Sequence, residues 1–448
     1  MNGVIRANVA LQQQNDVGVS ASRKKKRVGW VYSVLPVSLA TGPLGTLVQL
    51  YLIQLNGPTL GTIYASLAVA MFNGVSIPAS MFWGYATDRL HDRKTIVVVS
   101  YVLTALVLFA FFFFGSTPGT ILVYSVFSFI SAAAATPLNL LIMETEQKGK
   151  WANAFARLSM ISSLGNVGGL VLSTLWGVGG LPLILLSIPL GTFSLASAVL
   201  AFATISEPAF VFERETIVRR RSSFFTRFLA LPLMFLTTPG LVDFRRLFRG
   251  LRFTLTSYLP LFYISTVFFY LSSGLFNTSL VPALSTFSLS TGEVFAVILA
   301  GMVVQTLAFR YAGRYFERRS LVSGSIQGLL LRGGCYVLFG VFALVAAGPG
   351  YVIPALILYP LASGVAFAAY YISTYTMMFN VVQTENAGSA LGVYSAVIGV
   401  ATLAGSLASG FISIFAGFHI TFISAGLLLF LAAAVVARLP ASGHNEGP

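Results

Sequence analysis

Acidic residues are scarce in this chain: 13 Asp and Glu stand against 27 Lys and Arg, and charged residues of both signs make up 9% of 448 positions. A soluble domain carries roughly 25% charged residues, so the solvated surface of a water-soluble fold is missing. The single cysteine, Cys335, excludes an intramolecular disulfide and any cysteine-based metal cluster. Only three histidines occur, His91, His419 and His444, all outside the helix cores described below. With no buried carboxylate pair, metal-ligand cluster or activated Ser or Cys, intramembrane catalysis has no obvious residues, so no enzyme, cofactor or bound metal is expected. The apolar runs lack the period-two alternation of barrel strands, which argues against a β-barrel. No small-residue cleavage site follows the basic run Arg23 to Arg27, so the first hydrophobic segment is expected to stay in the mature protein.

What the chain does have is apolar length. Hydrophobic residues make up 56%, 38 of them Phe, and mean hydropathy is +0.84. A helix needs about 20 apolar residues to cross a bilayer core about 30 Å thick. Twelve runs qualify: Trp30 to Leu55, Gly61 to Ala86, Thr95 to Gly115, Gly119 to Met143, Ala154 to Gly177, Leu181 to Ile205, Phe253 to Phe276, Val294 to Phe309, Leu321 to Ala347, Val352 to Phe379, Ala390 to Ala416 and Phe418 to Ala437. The expected organisation is a basic tail (1–29), six helices (30–205), a linker (206–252), six more helices (253–437) and a short tail (438–448). The fold class is all-α integral membrane.

The bases alternate between loops. All 27 Lys and Arg fall before helix 1, in residues 88–94, 148–157, 214–252 and 310–332, or at Arg438, while the connections near 56–60, 116–118, 178–180, 277–292, 348–351 and 417 contain none. By the positive-inside rule both termini and the linker are cytoplasmic, in a multi-pass protein expected in the cell membrane. The net charge of +14 is then a topology signal with attraction to anionic lipid headgroups on that side. No groove-reading or base-stacking module is visible, so nucleic acid is not an expected partner.

The charged connections repeat. At an offset of 225, DRLHDRKT (Asp88 to Thr95) lies over GRYFERRS (Gly313 to Ser320), matching Arg89 with Arg314, Arg93 with Arg318 and Lys94 with Arg319. At an offset of 239, TEQKGKWANAF (Thr145 to Phe155) lies over TENAGSALGVY (Thr384 to Tyr394). Each pair joins equivalent helices of the two sets of six, the pattern of an internal duplication.

GYATDRLHDRK, leaving helix 2 on the basic side, resembles the signature G-x-x-x-D-R-x-x-x-R-K of the major facilitator superfamily (MFS), with Gly84, Asp88, Arg89, Arg93 and Lys94 in register. Together with the 6+6 layout, the resemblance covers Trp30 to Arg438. It implies two pseudo-symmetric six-helix bundles around a central cavity, rocking between inward-open and outward-open states. It also implies that Gly84 lets helices 2 and 11 approach, that Asp88 faces the start of helix 11 as a conformational latch, and that Arg89, Arg93, Lys94, Arg314, Arg318 and Arg319 belong to the same charged device. The latch is physically reasonable, because a helix N-terminus carries about half a positive charge. The plainer alternative is that these charges only cap helices 2 and 3 and fix topology. The second copy has Gly313 where the first has Asp88, so no symmetrical latch is expected.

For the cargo, uncharged polar groups are the guide. None of the 13 acids sits at mid-membrane on these spans, which weakens proton coupling as a default and leaves any coupling ion unknown. The run GNVGG (Gly165 to Gly169) lacks the proline of the G-P-x-x-G-G that drug/proton antiporters of the family usually carry. Helices 1, 4, 7 and 10 line the pathway in this family, which suggests Gln49, Tyr124, Asn139, Tyr371 and Tyr375, with Asn73 and Arg332 as further mid-membrane candidates. Each amide or hydroxyl could equally bond a neighbouring helix. The expectation is a secondary active or facilitative carrier of a small organic solute working by alternating access, with export among its open directions. A receptor or scaffold of the same fold without transport is the alternative.

Overall fold

The computed structural model describes residues 29–90, 92–145, 151–205, 258–316, 320–345, 348–381 and 387–439. The regular structure within them is helical. Long apolar runs dictate this, because hydrocarbon offers no partner for backbone N–H and C=O groups and a helix pairs them internally. The linker 206–252 and most of both tails lie outside the described residues, as do parts of the charged connections at 146–150, 317–319 and 382–386.

The first apolar segment, Trp30–Gly84, is 55 residues long. At 1.5 Å per residue it would extend about 80 Å, far more than one bilayer core. Gly57 divides it: its φ of +75° and ψ of 175° lie outside the helical region. That conformation suits glycine because it has no Cβ to clash. Pro58, which needs no intrahelical N–H partner, begins the returning arm. Crossing α1 therefore spans 30–56 and α2 spans 58–90. Asn56 ties the turn down, donating to Leu52 O at 2.9 Å and accepting from Thr117 Oγ1 at 3.0 Å.

The rest of the first bundle is α3 (Arg93–Phe113), α4 (Thr117–Thr145), α5 (Trp151–Val178) and α6 (Ser187–Thr204). The second bundle is α7 (Tyr258–Thr286), α8 (Thr291–Phe316), α9 (Leu321–Val345), α10, α11 (Ala387–Phe415) and α12 (Phe418–Val436). With the division at Gly57, the 11 long apolar segments become twelve crossings. Crossing α10 has three parts, Val352–Tyr359, a π-helical stretch Pro360–Ala366 and Phe367–Val381. The cause is local: Pro360 has no N–H to donate and crowds the preceding turn, so the hydrogen-bond register slips by one residue.

One expected boundary is corrected. The stretch 277–292 reads as an external loop, yet α7 continues to Thr286 and the connection is only 287–290. The polar run Asn277-Thr278-Ser279 looked like a helix end. In the structure Thr278 Oγ1 donates to Ser406 Oγ at 3.1 Å, and Ser279 bonds Ser409 and Ser413, all on α11. These hydroxyls hold helices together within the membrane, the role polar groups take where apolar contact gives no advantage over lipid. The short connection ends in a capping box, with Ser290 Oγ donating to Glu293 Oε2 at 2.8 Å and Glu293 N donating back to Ser290 Oγ at 3.3 Å.

The bundles meet along two seams, α2 against α11 and α5 against α8, with α7 also touching the first bundle. Small residues let the backbones approach. A methyl added to Gly177 on α5 would lie 2.7 Å from Gly292 N on α8, and one added to Gly410 on α11 would lie 2.8 Å from Ser66 Cβ on α2. Asn73 Nδ2 donates to Ser406 Oγ across the α2–α11 seam at 3.2 Å. These contacts lie at mid-membrane and toward the face opposite the bases.

Candidate functional site

Within the first bundle, α1, α2, α3 and α4 line an open cavity of about 360 Å³. Its polar lining is hydroxyl: Thr41 from α1, Ser100, Tyr101 and Thr104 from α3, and Tyr124 and Ser131 from α4. Small side chains create the space, since Gly45, Ala134 and Ala135 also line it. Phe72 and Phe127 form an aromatic wall with Tyr124, whose ring stacks on Phe72 at 4.8 Å between centroids. Some hydroxyls are already used, Ser100 Oγ donating to Ile130 O at 3.2 Å and Ser131 Oγ to Ser128 O at 3.1 Å. The Tyr101 hydroxyl is buried without a hydrogen-bond partner. With no charged residue in its lining, the cavity can hold a small solute through aromatic faces and hydroxyl contacts.

In the second bundle, large side chains stand at two positions that align with smaller ones in the first. At the 239-residue offset Tyr370 lies over Ser131, and at the 225-residue offset Arg332 lies over Val107. The Tyr370 ring stacks on Phe269 of α7 at 3.7 Å, and Phe276 stacks on Tyr336 of α9 at 3.6 Å. Arg332 is 3% exposed among these rings, its Nε donating to Tyr336 Oη at 2.8 Å.

Of the residues suggested by sequence whose side chains are described, Tyr124 alone lines the cavity. Gln49 is buried on α1 with Oε1 unpaired. Asn73 is spent on the seam, bonding Ser406. Asn139 is exposed on α4 outside the lining. Tyr371 packs against Phe309 at 5.7 Å and Phe367 at 5.5 Å. The Tyr375 side chain lies outside the described residues. Sequence reading missed Thr41, Ser100, Tyr101, Thr104 and Ser131. Hydroxyls four apart on α3, at Ser100 and Thr104, were the available signal, but serine and threonine are too common in membrane helices for that spacing to stand out.

The charged island is partly described. Asp92 caps α3, its Oδ1 accepting from Thr95 N at 3.0 Å. Arg93 is half-buried at the first position of α3. Lys94 Nζ sits 4.5 Å above the Phe202 ring of α6, so this base pins two helices. A methyl on Gly84 would meet no neighbour within 4 Å among the described residues. The side chains of Asp88, Arg89 and Arg314, and all of Arg318 and Arg319, lie outside the described residues.

Known proteins place this architecture. The sequence profile of the Major Facilitator Superfamily matches residues 31–336. Among solved structures, the partially occluded inward-open form of the xylose transporter XylE from E. coli is similar with a TM-score of 0.66 at 13% identity, covering 94% of this chain and 98% of that one. The nucleoside transporter NupG is similar with a TM-score of 0.64 at 16% identity, covering 92% and 98%. The human organic anion transporter MFSD10 is similar with a TM-score of 0.60 at 16% identity, covering 92% and 99%. No curated protein matches the chain in sequence. At such identities the structural likenesses establish the fold, and the profile match over more than half of the chain establishes the family. This multi-pass membrane protein, with its two six-helix bundles, belongs to the major facilitator superfamily of membrane transporters.

Proposed function

We propose that the chain is a secondary active or facilitative carrier that moves a small organic solute by alternating access rather than catalysing its conversion. In this reading it resides in the cell membrane with the basic face cytoplasmic, and the basic loops lie against anionic headgroups. The observation that carries the reading is the seam geometry. The outer ends of α5 and α8 close on each other at Gly177 and Gly292, while Gly84, toward the basic end of α2, has no neighbour within 4 Å of an added methyl among the described residues. That asymmetry fits the inward-facing phase of a rocking cycle. The neighbours carry a sugar, a nucleoside and organic anions by their names, so the fold does not select a cargo.

Locking the outer seam tests the cycle. Cys335, the one native cysteine, is buried, so an engineered pair can be read cleanly. In Ser66→Cys/Gly410→Cys the Cβ atoms start about 2.8 Å apart. A disulfide wants about 3.8 Å, so a shift of about 1 Å completes it. Oxidation is expected to abolish solute flux in proteoliposomes, and reduction to restore it. Full flux through the oxidised pair would show that the seam does not open during function.

A further inference from the structure

Arg332 is a buried cation with no ion-pair partner among the described residues. It stands eleven residues into α9, about 17 Å from the end of the helix at 1.5 Å per residue and therefore near mid-membrane. None of the 13 acids falls in 258–286, 294–316, 321–381 or 387–439, and Glu293, at the far end of α8, is capped by Ser290. The guanidinium keeps its charge in any protein environment. Phe269, Phe367 and Tyr336 surround it, with ring centroids 4.8, 5.2 and 5.3 Å from its central carbon. Nε has the Tyr336 hydroxyl, but Nη1 is buried with no hydrogen-bond partner.

Aromatic faces offset only part of the cost of holding a cation here, and a buried ionic group with no partner is worse for stability than an apolar side chain of the same size. The architecture does not demand the charge, because the equivalent place in the first bundle holds Val107. A second feature marks the spot. The π-helical stretch Pro360–Ala366 ends directly before Phe367, and such local widenings recur at functional sites.

We propose that Arg332 is a substrate-recognition residue for an aryl monocarboxylate. The carboxylate would accept from the unpaired Nη1 and the ring would lie against Phe269 and Phe367. The planar fork of arginine suits a planar carboxylate, and the aromatic walls suit a flat apolar body. This assignment rests on the carrier reading and names the cargo class. The site is closed in the conformation described, so the solute reaches it in another phase of the cycle.

The test uses the purified full chain and three probes, benzoate, phenylacetate and cinnamate, against the neutral benzamide and the cationic benzylamine. Thermal unfolding in detergent reads binding without requiring transport, and counterflow in proteoliposomes reads flux. Wild type is expected to gain stability with the three carboxylates and not with the amide or the amine. Arg332→Gln should weaken the carboxylate response about ten-fold or more, and Arg332→Lys, which retains charge but not the fork, by less. If Arg332→Gln does not fold, Phe269→Leu keeps the charge, removes one aromatic wall, and should weaken cinnamate more than benzoate. Equal responses to benzoate and benzamide, an Arg332→Gln response equal to wild type, or chloride stabilising as well as benzoate would each overturn the assignment. Binding without flux would instead sink the carrier reading and leave the recognition site standing. Flux of a neutral solute indifferent to Arg332→Gln would do the reverse.

Discussion

The two bundles share a topology and differ where it matters most. In the first, α1 to α4 leave a neutral cavity of about 360 Å³ with hydroxyls in its lining, its space made by Gly45, Ser131, Ala134 and Ala135. In the second, Tyr370 stands at the position aligned with Ser131 and stacks on Phe269, with the Arg332 guanidinium over the same ring. A duplicated fold therefore carries a neutral cavity in one half and a buried arginine among aromatic rings in the other. Duplication sets the hinge geometry, and divergence of a few inward-facing side chains sets what each half can hold.

The strongest way to break the contrast is to give the first bundle the second bundle's side chain. Ser131→Tyr places a ring in the cavity at the position equivalent to Tyr370. Flux is expected to fall by about 100-fold, because overpacking a built site costs about 1 to 3 kcal/mol before any lost solute contact is counted. Initial rates of counterflow and a thermal unfolding curve separate a blocked site from a misfolded one. Near-normal flux in a well-folded Ser131→Tyr would remove this cavity from the pathway.

The motif asymmetry supplies the next comparison. The first copy keeps Asp88 and the second has Gly313 in its place. Asp88→Asn is expected to fold and insert, yet to transport about ten-fold more slowly because the inward-facing population grows, as judged by cysteine accessibility on both faces. Unchanged transport would reduce the charged island to helix capping and topology; Asp92 already caps α3 and Lys94 already packs on Phe202.

Much of the fold was legible because bilayer thickness imposes one length on every crossing, and loop bases alternate with crossing number. The division at Gly57 was readable from glycine followed by proline. The end of α7 was not, since Asn277, Thr278 and Ser279 look alike whether they face water or bond Ser406 and Ser409 on another helix. The cavity was illegible for a different reason. It is an absence produced by small residues on three helices, and no single stretch of sequence records that they face one another. Arg332 could be singled out from its charge within an apolar run. Its aromatic surroundings come from α7 and α10, 63 positions before it and 35 after it along the chain.

The smallest expected effect concerns the hydrogen bond that crosses between the bundles, from Asn73 Nδ2 to Ser406 Oγ. Ser406 also accepts from Thr278 within its own bundle, so the serine is held in place whether or not the seam is closed. That makes Asn73 the side chain that lets go when the bundles rock apart. Hydrogen bonds between membrane helices contribute about 0.6 kcal/mol on average, a roughly three-fold change in a two-state ratio. Moving such an equilibrium from 1:99 to 99:1 takes about 5.5 kcal/mol, so this bond trims the balance and does not decide it. Asn73→Ala should shift the population about three-fold toward the outward-open form, and Ser406→Ala should do little more when Asn73 is already alanine. A double-mutant cycle on outer-face cysteine accessibility measures the coupling. A value near zero would leave the closed seam to its small-residue contacts, Gly177 on Gly292 and Ser66 on Gly410.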